Sequence, residues 1–252
     1  MTDYDVEMNI IQDLFDVELN ECCPLGDKNM TRIEEMEKIL LSIINEDSFK
    51  KNWYDNSKNT NAPPDFISEN LSLCMDIMRV DDHSQGKGKN ECRRLESKRH
   101  DELASIFNNY ERIYVNEQTG LEQNLDHNYS FYYKEFKRVI DKHIRRLKTY
   151  KNNYGTEKSL FLVADESSGT YYRRKKGNYG ELHIFFYDKR FVESFIDSEL
   201  DYLIWFAPYK FFETIPPKRE YPTVVFYDIK GFRSRKNELI DYEENMMCSN
   251  ED

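Results

Sequence analysis

The ten residues 71–80, "LSLCMDIMRV", decide how this chain is to be divided. Leu71, Leu73, Met75 and Ile77 alternate with Ser72, Cys74, Asp76 and Met78, which is the two-residue period of a β-strand. The segments nearest to it have helical spacing, and the other strand-length runs lie far downstream. A strand here therefore ties early helices to a late sheet. The pattern predicts one α/β domain, a mixed sheet of about five or six strands flanked by helices, rather than a helical domain followed by a β domain.

Upstream, residues 31–49 place Ile33, Met36, Leu40, Ile43 and Ile44 on one helical face, and Thr31 with Glu34 has the spacing of a capping box. Residues 52–63 are polar and rich in Asn, and Pro63 and Pro64 force an extended exit. Residues 1–28 carry Ile10, Ile11, Leu14 and Phe15 in an acidic frame and end in "CCPLGD", which reads as a loop. They form an acidic arm or a docking helix.

Downstream, "DDHSQGKGKN" (81–90) has the composition of a loop, and Leu103, Ile106, Phe107, Tyr110, Ile113 and Tyr114 recur at helical spacing. Residues 131–150 predict a helix with the apolar stripe Tyr132, Phe136, Val139, Ile140, His143, Leu147 and Tyr150, and a basic outer surface that includes Lys134, Lys142, Arg145 and Arg146. The runs "SLFLVAD" (159–165), "ELHIFFYD" (181–188), "LDYLIWF" (200–206) and "TVVFYDI" (223–229) predict strands, and "RFVESFID" a short helix. The domain then spans 29–230 with a helical insertion at about 81–130, and 231–252 reads as an acidic tail.

Composition narrows the function classes. The 252 residues suffice for a core without disulfide or metal staples, and 14% aromatic content excludes a disordered chain. A net charge of -11 argues against a polyanion-binding surface over the whole molecule, so nucleic acid contact is confined to local basic helices. Cys22, Cys23, Cys74, Cys92 and Cys248 contain no CxxC pair and no His at zinc-finger spacing. The N-terminus lacks a basic, then apolar, leader, and no apolar run reaches the roughly 18–20 residues that span a bilayer. No membrane contact and a cytoplasmic location are expected.

Chemistry concentrates on two acids. Asp76 interrupts an apolar strand, where a carboxylate is costly to bury unless it is paired or metal-bound. An edge strand with that face in water would also remove the cost. Asp65 follows Pro64, a usual place for a turn or cap residue; it also stands where a neighbouring extended segment can bring it to Asp76. A helix from Thr31, then Pro64-Asp65, then Asp76-Ile77-Met78, then a helix and the strand ending at Asp165, together resemble the core of PD-(D/E)XK nucleases. The resemblance covers about Thr31 to Asp165.

It implies a restriction-endonuclease-like core, with Asp65 and Asp76 as ligands of Mg²⁺ or Mn²⁺ in a hydrolase acting on phosphodiesters. Hard divalent ions prefer oxygen donors, and an ion held beside a phosphate activates water and neutralises developing charge. It also implies an accessory helix-borne glutamate, for which Glu37 is the candidate. The family's lysine, two residues after the second acid, is Met78 here, and a thioether neither donates a hydrogen bond nor carries charge. Lys142, Arg146 or the loop with Lys87 and Lys89 would have to supply the cation. His143 is either a core histidine or a participant.

Two further segments carry acids. Asp165 and Glu166 end a strand, where α/β proteins place ligand contacts, and Asp228 with Lys230 imitates the second half of the nuclease motif. The competing class is a non-catalytic interaction protein, its partner surface built from the acidic ends and the aromatic-rich segment 201–229.

Overall fold

The computed structural model describes residues 3–27, 29–56, 64–82, 128–167, 170–174, 180–208, 210 and 221–249. The chain runs α1 (Asp3–Phe15), β1 (Cys22–Leu25), α2 (Met30–Ile44), α3 (Glu46–Asn52), β2 (Tyr54–Asp55), β3 (Phe66–Ser68) and β4 (Leu73–Val80). It continues through α4 (Tyr129–Ile144), α5 (Leu147–Tyr154), β5 (Lys158–Asp165), β6 (Tyr171–Arg173) and α6 (Lys189–Glu193). Last come β7 (Tyr202–Phe206), β8 (Val224–Asp228), α7 (Ile229–Phe232) and β9 (Met247–Ser249).

Seven strands form one mixed sheet in the order β1-β8-β7-β5-β4-β3-β2. β4, β5 and β7 are parallel, β8 runs against β7, and β2, β3 and β4 form an antiparallel meander. The middle of β5, 160–164, and all of β7 are apolar because both of their faces are covered. Leu160, Leu162, Ile204 and Met75 pack against Ile11, Leu14, Met36, Ile43 and Phe49 from α1, α2 and α3. Phe161, Val163, Trp205 and Met78 pack against Tyr132, Phe136, Ile140 and Tyr150 from α4 and α5. The chain is thus an α/β fold whose sheet is sandwiched between helices, as the strand at 71–80 required. No helix among the described residues is long and apolar enough to cross a membrane.

The structure departs from the sequence pattern in several places, each for a local reason. The helix at 31–49 is two helices: Asn29, not Thr31, caps α2 by accepting the Thr31 N–H at 3.1 Å, and Asn45 breaks the chain and caps α3 through the Ser48 N–H at 2.8 Å. The helix at 131–150 likewise divides, at Arg145 and Arg146, while its apolar stripe stays continuous across the elbow. Gly155, at φ +64°, ends α5 in the left-handed conformation open to glycine. "CCPLGD" is not a loop but contains β1, an edge strand parallel to β8, where Pro24 is tolerated because an edge residue can forgo an N–H.

"ELHIFFYD" is not a sheet strand. Leu182 makes one bridge to Tyr172 and residues 185–187 turn, because Asp188 caps α6 and binds His183 while Phe185 enters the aromatic core. Residues 231–249 do not trail as a tail: Phe232 and Tyr242 are buried, and β9 pairs with β6. The N-terminal segment docks through Ile10, Ile11 and Leu14 of α1. The predicted helix at 103–114 lies outside the described residues, whereas the two flanks of that insertion meet where the Asn128 N–H donates to the Asp82 carbonyl at 3.3 Å.

Candidate metal centre

The antiparallel register of β3 and β4 pairs Phe66 with Met75, Ile67 with Cys74 and Ser68 with Leu73. One step further along both chains, Asp65 stands opposite Asp76. Opposite residues of an antiparallel pair share a face, so the two carboxylates meet. Asp65 Oδ2 accepts the Ile77 N–H at 2.7 Å, which fixes this carboxylate beside β4. Asp76 lies 2% exposed in an interior strand between β3 and β5, so water at a sheet edge does not solvate it. Its Oδ2 accepts the Tyr150 hydroxyl at 3.0 Å and touches His143 Nδ1. His143, in the last turn of α4, therefore belongs to the acidic centre rather than to the apolar core alone.

Burial raises the Asp65 carboxyl to about 9, and the neighbouring charges of Asp76 and Glu7 push in the same direction; only the Ile77 N–H opposes them. Two facing carboxylates cannot both be ionised cheaply without a cation between them. Among the described residues no lysine or arginine forms an ion pair with either one. Nor does any group of three or more His, Cys, Asp or Glu side chains among those residues form a metal site. The protein donors here are two carboxylates. That number suits a Mg²⁺-type ion, which keeps several waters and takes one or two carboxylates.

The other predicted participants are scattered. Glu37 is exposed on α2 and lines a groove with Glu34, Lys38, Leu41 and Leu71, away from the pair. The helix-borne glutamate that influences Asp65 is Glu7 of α1. Sequence reading missed it, although its place one turn before Ile10, Ile11 and Leu14 sets an acid in an apolar stripe. Lys142 is exposed on α4 and makes no ion pair among the described residues. Met78 is buried on the same sheet face as Asp76 and supplies no charge. Arg79 points away to Glu166, and Lys87 and Lys89 lie outside the described residues. Arg146 reaches the centre only through another side chain, lying beside the Tyr150 hydroxyl.

Asp165 occupies the usual ligand-binding end of the parallel strands, yet its oxygens are spent. Oδ1 accepts the Ser167 N–H at 3.0 Å, and Oδ2 accepts Trp205 Nε1 at 3.0 Å and the Tyr132 hydroxyl. Lys210 Nζ stands 3.9 Å from Asp165 Oδ2 and donates to Ser167 Oγ at 3.1 Å, while Ser167 Oγ donates to Asp82 Oδ2 at 2.6 Å. Asp82, Asp165, Ser167 and Lys210 are all buried. This is a closed structural knot.

Asp228 ends β8 and Lys230 is exposed on α7, so the two do not share a strand face as the nuclease pattern would need. Where it is described, the aromatic segment expected as a partner surface is interior: Tyr202–Phe206 and Val224–Asp228 are buried throughout, and 209 and 211–220 lie outside the described residues. No protein-family model matches the sequence, and neither a curated protein nor a solved structure matches the chain.

Proposed function

We propose that Asp65 and Asp76 form the divalent-cation site of a nuclease-like hydrolase acting on phosphodiesters, with Mg²⁺ or Mn²⁺ as the ion. The observation that carries this reading is the pairing itself: two carboxylates opposite one another, with His143 against Asp76 but no lysine or arginine paired to either among the described residues. An all-oxygen donor pair fits a hard cation. The order of α2 and α3, the β2–β4 meander, α4 and α5, and then β5 beside β4 supports a restriction-endonuclease-like core.

Each residue then has a role. Asp65 and Asp76 hold the ion, and Tyr150 and His143 fix the orientation of Asp76, as outer partners of a ligand do. Glu7 adds negative charge to the centre. The bound ion would supply an activated water and neutralise charge on the phosphate. Met78 supplies neither charge nor a hydrogen-bond donor, so a bound ion would have to activate water without the ammonium that the nuclease motif places there. Met78 also favours a second reading, a non-catalytic binding protein, in which the ion is held and no bond is cut.

Calorimetric titration with Mn²⁺, on wild type and Asp76→Asn, tests the site, and incubation of labelled DNA and RNA with Mg²⁺ tests the reaction. The expected result is Mn²⁺ uptake by the wild type alone, with cleavage that Asp76→Asn abolishes. Uptake without cleavage would support the binding protein. No uptake by the wild type would remove both readings of the centre.

A further inference from the structure

The lysines and arginines from Lys137 to Lys151 fall into two groups; Lys134, earlier on α4, is also exposed and lies over the Phe131 ring. Lys137 is neutralised by Asp141 at 3.1 Å, Arg138 by Glu135 at 2.8 Å, Lys148 by Glu199 at 3.4 Å and Lys151 by Asp201 at 2.6 Å. Lys142, Arg145 and Arg146 are exposed, and among the described residues none of them has a carboxylate within ion-pair distance. These cations bracket the elbow where α4 ends and α5 begins. His143, between them in sequence, touches Asp76, and Arg146 lies beside the tyrosine that donates to Asp76.

Helix electrostatics explain only part of this. Arg145 Nε donates to the Asp141 carbonyl at 2.9 Å, which suits a cation at a helix C-terminus. Arg146 does the opposite. It holds the N-cap position of α5 without a side-chain cap bond, where a positive charge opposes the field of the helix. A chain of net charge -11 repels polyanions at long range, so an unneutralised cluster is the kind of local feature that would be needed to hold one.

We infer that Lys142, Arg145 and Arg146 dock the phosphate backbone of a nucleic acid beside the Asp65–Asp76 centre, a proposal that rests on reading that centre as one for phosphodiesters. Phosphates held at the elbow would lie next to the side chains that orient Asp76. The contact is to backbone, so it is sequence-independent and sensitive to salt.

The test is fluorescence anisotropy of a short labelled DNA duplex over a salt series in EDTA, which removes any contribution of a metal ion. Wild type is compared with the triple variant Lys142→Gln, Arg145→Gln, Arg146→Gln and with Lys38→Gln on the exposed side of α2. All three positions of the triple variant are exposed, and matched melting curves verify its fold. The dependence of log affinity on log salt should flatten by roughly 2–3 in the triple variant, with at least about a tenfold loss of affinity at low salt, and Lys38→Gln should behave as wild type. Equal slopes and affinities in wild type and triple variant would overturn the dock. So would binding to phosphatidylserine vesicles, abolished in the triple variant, with no binding to DNA. If wild type takes up no Mn²⁺ but the slope still changes, the metal centre fails and the dock stands.

Discussion

β4 carries one acid in its middle, Asp76, and leads into another just beyond its end, Asp82, and the two have opposite fates. Asp82 joins Asp165 in a knot where Lys210, Ser167, Tyr132, Tyr171 and Trp205 occupy the carboxylate oxygens. Asp76 joins Asp65 with a histidine, a tyrosine and a backbone N–H, but no lysine or arginine among the described residues. Both pairs are costly to bury. The first holds a lysine and is closed by its hydrogen bonds; the second has a histidine but no lysine or arginine among the described residues, which leaves room for a cation. Position alone would have pointed to the knot, because it sits at the strand ends where α/β proteins bind ligands.

This contrast can be broken most severely at Lys210. Replacing it with Met removes the ammonium 3.9 Å from Asp165, and breaking a buried pair of this kind costs about 3–5 kcal/mol. Urea unfolding should show that loss, whereas Asp76→Asn should leave stability nearly unchanged while removing Mn²⁺ uptake. Comparable destabilisation in both variants would erase the distinction.

Asp65 gives the next effect. Its folded-state value of about 9 lies above the roughly 4 of an unfolded carboxylate, so the folded protein retains a proton that the unfolded chain gives up. That contribution to stability is full below pH 4 and is lost as pH rises towards 9. Melting of the metal-free wild type should therefore decline across this window, and Asp65→Asn should show a flatter profile and a higher melting temperature at pH 8. Mn²⁺ affinity should rise over the same window, because the ion displaces the proton.

Smaller changes sharpen the account. Tyr150→Phe removes one donor to Asp76 and should cost about 1 kcal/mol in stability, with roughly tenfold weaker Mn²⁺ binding. Glu37→Gln should alter stability by less than about 0.5 kcal/mol, as exposed positions usually do, and leave Mn²⁺ affinity intact. A strong effect at Glu37 would put the helix-borne glutamate back on α2.

The sequence made the sheet legible where chemistry alternates or runs unbroken. The period at 71–80 gave β4 and the two faces of Asp76, and the apolar runs gave β5, β7 and β8. Pro64-Asp65 was singled out by its resemblance to a nuclease motif and Asp76 because an acid in an apolar strand stands out locally, and the register of β3 and β4 brings the two opposite one another. Other parts depended on contacts distant in sequence. β1 needs β8 beside it, 181–188 bends because Asp188 serves His183 and α6, and the last residues fold because β6 receives β9. Glu37 was preferred to Glu7 because spacing shows which residues share a helix face but not which face meets the acids.

Crystals soaked in Mn²⁺ and measured for anomalous scattering test the central claim most directly. The account predicts one peak shared by Asp65 and Asp76, about 2.1 Å from an oxygen of each, a typical distance for a small hard divalent ion. Clear density for both side chains with no peak, or with a lysine or arginine bound between them, would contradict it.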